Sequence, residues 1–329
     1  MQKRATLADV AAAAGVSVAT ASKALHNRPR VGAATRERVR RAATQLAYVP
    51  NAQAQSLVTG RSSSIGLITS DLGGMFSSPI MIGAEDELGS SSSTVILANA
   101  RGDAALEKRK LDFLVSRNVD GILVVNDNPN PRIPLDAPIP VVYAYAASVD
   151  PADSAVVVDN VHAGRIAAER LLRAGRRHIA LVAGEPDFEA SRDRLAGSRE
   201  ALEEAGLTFA EEPRFGPWQA EWGRRVARDL LSSGVPFDAV ICQSDILAQG
   251  CISALISRGV RVPEDVAVIG HDNWGIITRL SAQRLTTVDN NLSEIGARAA
   301  RRLMDAIDGH PDEGIEAVRG EVVEGETVP

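Results

Sequence analysis

Short hydroxyl and basic side chains near the beginning of the chain have the types and spacing that suit contact with nucleic acid. Hydroxyl side chains, together with backbone amides, can bind phosphate oxygens and fix the register of a protein on a duplex. The candidates for this role are Thr6, Ser17, Thr20 and Ser22. Small apolar side chains can contact thymine methyl groups and a lysine can donate to guanine O6 or N7, so the candidates for reading bases are Val18, Ala19 and Lys23.

The charge of the chain is distributed unevenly, which favours a nucleic-acid partner for one end only. Residues 1–60 contain nine Lys and Arg residues against Asp9 and Glu37, a net charge of +7. Because the whole chain carries −6, the remaining residues carry −13. A basic head on an acidic body is the asymmetry expected when only the head contacts phosphates.

The elements that must position these side chains are predicted to be short helices. Thr6 and Asp9 have the spacing of a capping box that begins a first helix, and Gly15 can adopt the left-handed conformation that ends it. Ser17 is the predicted N-cap of a second helix, Val18 to Leu25. Two helices joined by so tight a turn form a helix-turn-helix.

A third helix is predicted over about Ala33 to Leu46. One of its faces would complete a three-helix core with Val39, Ala42, Ala43 and Leu46. The other face, either a solvated surface or part of the nucleic-acid surface, would carry Arg36, Arg38, Arg40 and Arg41.

Residues 48–63 are predicted to form a hinge and linker. Pro50 can open a helix, but a helix of two turns is not stable alone. We therefore expect this segment to become ordered only when DNA and a second copy of the chain hold it.

From Ile65 onward, short β-branched runs alternate with amphipathic stretches, a pattern typical of parallel sheet with crossover helices. The strands are too numerous for one sheet, and both halves of this region repeat the same alternation of strand and helix. We therefore predict two similar lobes that face a cleft. The predicted strands are Ile65–Thr69, Thr94–Ala98, Gly121–Val125, Ile139–Val142, Ala155–Asp159, His178–Val182, Ala239–Cys242, Val266–Gly270 and Leu285–Val288, with a last strand-like run at Val318–Val323. The predicted helices lie near 76–91, 104–117, 162–174, 191–205, 219–233, 245–258 and 292–308.

Acidic residues follow several of these strands. Ligands of such sheets bind at the carboxyl ends of the strands. This rule makes candidates of Asp71, Asp159, Asp245 and Asp272.

The sequence lacks the motifs that are typical of other functional classes. The sequence contains no dinucleotide fingerprint, phosphate-binding loop, zinc-protease helix or nucleophile elbow, and its five histidines have no ligand spacing, so we expect no enzyme, cofactor or metal. Cys242 and Cys251 suit buried reduced thiols. With no apolar leader or membrane-length run, the sequence predicts a soluble cytoplasmic protein, whereas a solute-binding protein would need an export signal and no DNA-reading head.

The sequence resembles the lactose-repressor (LacI/GalR) family over essentially its whole length. The headpiece motifs are Thr6-Leu7-Ala8-Asp9-Val10-Ala11, Ala14-Gly15-Val16-Ser17 and Thr35-Arg36-Glu37-Arg38-Val39, and the hinge motif is Tyr48-Val49-Pro50-Asn51. The body motifs include Val158-Asp159-Asn160, Arg194-Leu195-Ala196-Gly197, Asp245-Ile246-Leu247-Ala248, Gly270-His271-Asp272 and Leu285-Thr286-Thr287-Val288.

The resemblance implies a fold and domain boundaries. It implies a three-helix helix-turn-helix headpiece at 1–47, a hinge at 48–63, and an α/β body at 64–329 like the periplasmic sugar-binding proteins, with parallel sheets and helices on both faces. The first lobe would cover about 64–160 and 291–325, and the second about 161–290.

The resemblance also implies further site residues. In the family a hinge leucine wedges into the minor groove of a palindromic operator, which kinks the duplex; here that residue is Leu57, for which core filling is the alternative. The further implied DNA contacts are His26, Arg30, Asn51, Ala54 and Gln55. The implied effector contacts are Asp71, Phe76, Asp159, Arg194, Trp218, Ser244, Asp245, Asp272 and Asn290.

The implied function is a regulator that binds its operator as a homodimer under control of a sugar-like metabolite. Arg194 and Asp272 can satisfy sugar hydroxyls, and the Trp218 ring can cover the apolar side of a sugar; Asp272 as a helix cap and Trp218 as core residue are the alternatives. The headpiece departs from the family pattern at Ala21, His26 and Gly32, and these departures leave the headpiece assignment intact. The body departs from it at Gly74, Met75, Ser244 and Asn290, which alters the pocket and leaves a nucleoside effector open. The roles of repressor or activator, inducer or corepressor, and dimer or tetramer stay open, with no heptad tail to favour the tetramer.

Overall fold

The computed structural model describes residues 5–25, 29–48, 61–90, 93–126, 128–275 and 283–329. The chain divides into two compact units, Met1–Ser62 and Ser63–Pro329.

The first unit contains α1 (Leu7–Ala14), α2 (Val18–Leu25) and α3 (Ala33–Gln45). The predicted capping box is confirmed, because Thr6 N donates to Asp9 Oδ2 at 2.8 Å and Asp9 N donates to Thr6 Oγ1 at 3.3 Å. Gly15 ends α1 with a φ of 63°. The core is built mainly from alanines, whose small side chains let the helices approach closely: Val10, Ala11, Ala14, Ala21, Ala24, Val39, Ala42 and Ala43.

Leu46 was expected in this core, and that prediction is wrong. Helix α3 ends at Gln45, and Leu46 caps it with a φ of −87° and a ψ of 4°. Its side chain therefore leaves the buried face of the helix and is 37% exposed. Tyr48, two residues further on, packs against the core instead.

Two of the four arginines predicted on the open face of α3 hold the unit together. Arg38 Nε donates to the main-chain oxygen of Ala14 at 3.0 Å, and an Arg36 guanidinium nitrogen donates to that of Val31 at 3.4 Å. The last carbonyls of a helix have no partner within the helix, so Arg38 satisfies one at the end of α1.

We expect Arg38→Met to destabilise α1 by about 1 kcal/mol, because it removes the donor to Ala14 O. Hydrogen exchange of peptides from residues 5–25 in the full-length protein measures this as faster exchange of the α1 amides. Arg41→Met is the matched control, since Arg41 is exposed on the same helix. Equal exchange in the two variants would contradict a structural role for Arg38.

The second unit contains two sheets. The first has the strand order β10-β5-β4-β3-β1-β2 with every pairing parallel, and the second has the order β11-β9-β8-β7-β6 with only β11 antiparallel. The strands are β1 (Ser64–Thr69), β2 (Thr94–Asn99), β3 (Gly121–Val125), β4 (Val141–Ala144), β5 (Ser154–Val158), β6 (Ile179–Val182), β7 (Ala239–Cys242), β8 (Ala267–His271), β9 (Thr286–Asp289), β10 (Ile315–Val318) and β11 (Glu321–Val323).

Helices cover these sheets, as the alternating pattern predicts. Those of the first sheet are α4 (Ser77–Ser90), α5 (Ala104–Ser116) and α10 (Leu292–Ile307). Those of the second are α6 (Asn160–Arg173), α7 (Glu189–Glu204), α8 (Ala220–Ser233) and α9 (Asp245–Ser257). None of the helices in the described ranges is both long and apolar enough to span a bilayer.

The end of the chain differs from the prediction. The run Val318–Val323, expected as one strand, is divided between β10 in the first sheet and β11 in the second. The chain turns at Gly320, where an added Cβ would lie 2.5 Å from Asp289 O. The chain thus returns to the second sheet before residue 325, where the sequence prediction ended the first lobe.

Candidate functional site

Helix α2 presents one open face, and it carries the side chains expected to read bases. Val18, Ala19 and Lys23 are exposed, with Val18 48% exposed, while Ala21 and Ala24 on the opposite side are buried in the core. This division follows from helical spacing, since residues four apart share a face. The open face is apolar at its amino-terminal end and cationic one turn later.

Three of the four predicted phosphate-binding hydroxyls lie at the starts of α1 and α2, and the fourth lies in the middle of α2. Ser17 Oγ accepts from Thr20 N at 3.1 Å and lies 2.9 Å from Thr20 Oγ1, so this pair caps α2. Thr6 Oγ1 donates to Asp9 Oδ2 at 2.7 Å, and Ser22 is half-buried on α2. Helix amino termini present free amides and a partial positive charge, which suits phosphate.

Arg30 is exposed between α2 and α3, with a φ of 70°. Five predicted DNA contacts lie outside the described residues: His26, Asn51, Ala54, Gln55 and Leu57.

Arg194 lies at the centre of a second candidate site, in the second unit. Its side chain is buried; Nε donates to Asn160 Oδ1 at 2.9 Å and one guanidinium nitrogen donates to Gln243 O at 2.7 Å. Helices α6 and α7 position it, because their backbones touch: an added Cβ on Gly164 would lie 1.9 Å from Arg194 O.

Asp272 and Asn290 extend this site from the ends of β8 and β9. Asp272 Oδ1 lies 3.7 Å from the Arg194 guanidinium and accepts from Asn290 Nδ2 at 3.1 Å. Asn290 Oδ1 lies 2.7 Å from His271 Nε2. Since the Asn290 amide nitrogen donates to Asp272, its oxygen accepts, and His271 Nε2 carries the hydrogen. Burial lowers the pKa of His271 well below its ordinary value, which keeps the imidazole neutral.

Asp245, the first residue of α9, is fully buried. Its Oδ1 accepts from Thr287 Oγ1 at 2.6 Å and its Oδ2 accepts from Trp274 N at 2.8 Å. Burial, and then the charge of Asp272, raise the pKa of Asp245 to about 8. Burial also raises the pKa of Asp272 to about 6, against the opposing effect of Arg194. At pH 7 the ionised pair is therefore Arg194 and Asp272, and Asp245 is mostly neutral.

The raised pKa of Asp245 predicts a pH dependence of stability. The folded state holds this proton up to about pH 8, whereas the ordinary pKa is 3.8, so folding takes up a proton between these values and stability falls as pH rises. Asp245→Asn mimics the neutral acid and should gain stability relative to the wild type from pH 5 to pH 9, measured by urea unfolding. A constant difference across this range would contradict the expected proton uptake.

Aromatic rings lie on both sides of the polar cluster. The Phe76 ring stacks on Tyr145 with centroids 5.2 Å apart and meets Trp274 edge-on at 5.4 Å. Phe76 and Tyr145 follow strands of the first sheet and Trp274 follows β8 in the second, so this cluster joins the two sheets. The Trp218 ring meets Phe188 at 5.8 Å, and its buried Nε1 has no hydrogen-bond partner among the described residues.

Two of the remaining predicted effector contacts, Asp159 and Asp71, serve local structure, and a third, Ser244, joins the polar cluster. Asp159 Oδ1 accepts from His162 N at 2.9 Å and caps α6, and Asp71 Oδ1 accepts from Gly73 N at 2.9 Å in a turn. Ser244 caps α9, and its hydroxyl also bonds Asp272. The structure thus brings together five of the nine predicted residues, Arg194, Ser244, Asp245, Asp272 and Asn290.

A cavity of about 750 Å³ lies beside this cluster. Of the nine predicted residues only Asp272 lines it, together with Trp274 and the Gly74-Met75 pair that departs from the family pattern. Its walls include the start of α10, a helix that packs on the first sheet, so the cavity extends from the polar cluster toward that sheet. Arg194 is not among the residues that line it.

Sequence reasoning missed several residues of this site. Each of them lies at the carboxyl end of a strand or within three residues after it, where the rule that found the aspartates could also have found them: Tyr145, Asn160, Gln243, His271 and Trp274. In the described part of the chain, no three His, Cys, Asp or Glu side chains are arranged to hold a metal ion. Cys242 and Cys251 are buried free thiols, as predicted.

Comparison with known proteins finds one family match within each of the two units. A family described as bacterial regulatory proteins, lacI family, matches residues 6–51, and a periplasmic binding protein-like domain matches residues 168–328. The HTH-type transcriptional regulator CelR of Thermobifida fusca is 35% identical over 96% of this chain and 96% of its own length. The HTH-type transcriptional repressor CytR of Escherichia coli K12 is 31% identical over 93% of this chain and 90% of its own.

Solved structures agree with these relatives. The lac repressor dimer bound to operator and the anti-inducer ONPF matches with a TM-score of 0.77 and 25% identity over 99% of both chains. The transcriptional regulator CelR in complex with cellobiose matches with a TM-score of 0.66 and 31% identity over 98% of this chain and 100% of that one.

Proposed function

The chain belongs to the LacI family of bacterial regulatory proteins, and we propose that within it this protein is a repressor that binds a palindromic operator as a homodimer and is controlled by an uncharged sugar. One observation carries the DNA-binding part: α2 exposes Val18, Ala19 and Lys23 on a single face. In a dimer, two such helices enter successive major grooves of a palindrome. The lac repressor, a structural relative, binds its operator as a dimer.

The charge of the second site favours an uncharged ligand. At the centre of the site the Asp272 carboxylate lies beside the Arg194 guanidinium and balances its charge. The adjoining cavity is also lined by Asp289 and Glu294, so a phosphate or carboxylate would bring a further negative charge into a buried place. A guanidinium and a carboxylate side by side suit hydroxyl groups, and the Trp218 ring suits the apolar side of a sugar. The related CelR binds cellobiose, which makes this disaccharide the first ligand to test.

For the ligand to control DNA binding, its binding must change the position of one sheet relative to the other. The aromatic cluster of Phe76, Tyr145 and Trp274 joins the sheets directly beside the polar site, and Asp245 ties Trp274 to that site. A ligand on Asp272 therefore acts on the loop that carries Trp274. A coupling free energy of about 1–3 kcal/mol changes operator affinity roughly 5–150-fold.

This function needs no catalytic step, so we infer a regulator without enzyme activity that acts in the cytoplasm, where the operator DNA is. Two measurements test the proposal. Full-length protein is incubated with fragments of its source genome, and the selected sequences should share a palindrome. A thermal-shift screen then compares cellobiose with other sugars, sugar phosphates and nucleosides, since a ligand of the folded state raises its melting temperature.

The expected result is a selected palindrome, and a stabilising neutral sugar that changes operator affinity. Stabilisation only by a nucleoside would overturn the sugar assignment, and absence of any preferred palindrome would overturn the DNA-binding proposal.

A further inference from the structure

Gln243 is a buried amide directly behind β7 that makes four hydrogen bonds within the second unit. It is only 1% exposed. Its side-chain Oε1 accepts from Gly184 N at 3.1 Å, and its Nε2 donates to Ser191 O at 2.9 Å. Its main-chain N donates to Val182 O at 3.1 Å, and its main-chain O accepts from Arg194 at 2.7 Å. An amide buried without such partners would cost several kcal/mol, so these bonds determine where the side chain lies.

The partners of Gln243 lie next to two different residues of the proposed effector site, Trp218 and Arg194. Gly184 follows β6 and lies directly under the Trp218 ring, because an added Cβ there would lie 2.1 Å from two of the ring carbons. The backbone position of Gly184 therefore decides where the indole can rest. Ser191 is in the first turn of α7, three residues before Arg194.

Gln243 thus connects the backbone beside Trp218 to the helix that carries Arg194. Its side chain fixes Gly184 and the start of α7, and its main chain fixes the guanidinium. Among the described residues Trp218 Nε1 has no hydrogen-bond partner, so no direct hydrogen bond holds the indole at a fixed distance from the Arg194 guanidinium. The distance must come from the elements behind them, and Gln243 bonds to both.

We propose that Gln243 is a positioning residue of the effector site that sets the separation between the Trp218 ring and the Arg194 guanidinium. This inference rests on the proposed effector role of these two residues. In this proposal Gln243 does not itself contact the ligand. Loss of the amide should shift Trp218 and weaken ligand binding beyond any general loss of stability.

The variant that tests this is Gln243→Leu, which keeps the size of the side chain and removes both amide bonds. Gln283→Leu is the matched control. Gln283 Nε2 also donates to two main-chain oxygens, of Val262 and Glu326, but it lies before β9, at the amino end of the strands. Both variants lose two side-chain hydrogen bonds beside the second sheet. Because Gln283 is only half-buried, urea unfolding of both variants measures the general loss of stability that each one causes.

The first readout needs no ligand. Full-length protein labelled with 5-fluorotryptophan gives fluorine NMR signals from its tryptophans, and Trp218→Phe identifies the signal of Trp218. Gln243→Leu should move this signal, and Gln283→Leu should leave it in place. An unmoved Trp218 signal in Gln243→Leu would overturn the inference.

The second readout is titration calorimetry with cellobiose. Loss of the amide bonds should weaken cellobiose binding about tenfold in Gln243→Leu, and Gln283→Leu should bind like the wild type. Equal affinity of all three proteins would overturn the positioning role. If the wild type does not bind cellobiose, the proposed ligand fails, and the fluorine signal alone decides the role of Gln243.

Discussion

Asp272→Asn is expected to weaken effector binding by about 100-fold while operator binding stays within about twofold of the wild type. Asp272 lies 3.7 Å from the Arg194 guanidinium and is the ionised acid of the site at neutral pH. The substitution leaves an acceptor for Asn290 but removes the negative charge and one acceptor oxygen. A hydrogen bond to a charged group contributes about 1.5–3 kcal/mol, so the loss of one such bond to a ligand hydroxyl corresponds to about 10–150-fold in affinity.

The measurement is calorimetry with the sugar that stabilises the wild type, followed by operator titration of the same protein with and without that sugar. Asp229→Asn is the matched control, because Asp229 is half exposed and pairs with Arg214 on the surface. Normal effector affinity in Asp272→Asn would remove this carboxylate from the site. A parallel loss of operator binding would mean that Asp272 acts through folding.

The same carboxylate predicts how effector binding depends on pH. Because burial raises the pKa of Asp272 to about 6, ligand affinity should fall as pH drops through this value and the acid becomes neutral. In Asp272→Asn this fall should be absent. The two proteins should therefore differ most above pH 7 and least at pH 5.

The headpiece could be predicted from the sequence because its signals are local. Thr6 and Ser17 cap their helices, and Gly15 ends α1, through hydrogen bonds to residues no more than four positions away in the sequence. The strands of the body could be predicted for a similar reason, since runs buried on both faces consist of apolar residues throughout, as at Gly121–Val125. Binding at the carboxyl ends of these strands then follows from the fold class.

What could not be predicted from the sequence depends on distant contacts. Arg38 is exposed, as predicted, but no local pattern reports its hydrogen bond to Ala14, which is 24 residues away. The strand expected at Val318–Val323 is broken because Gly320 packs against Asp289. Gln243 was missed because its partners, Gly184 and Ser191, are more than fifty residues away, and no local pattern reports such bonds.

Lys23→Ala is expected to lower operator affinity by about 1–3 kcal/mol and to relax the preference for one base pair in each half-site. Lys23 is exposed on the open face of α2, one turn after Ala19, where a lysine in the major groove reaches guanine O6 and N7. Because a base contact discriminates and a phosphate contact does not, the loss should be larger for the operator than for random duplex. Titration against the operator, a half-site variant and random DNA at fixed salt measures both effects.

Lys108→Ala removes the same side chain from the second unit, where Lys108 is exposed and pairs with Asp112, and should leave all three affinities unchanged. The salt dependence separates the two possible roles of Lys23. A residue that neutralises a phosphate lowers the slope of log affinity against log salt by about 1 when it is removed, equally for every sequence. If Lys23→Ala weakened binding to all duplexes alike with this smaller slope, Lys23 would be a phosphate contact, and base reading would rest on the apolar pair Val18 and Ala19.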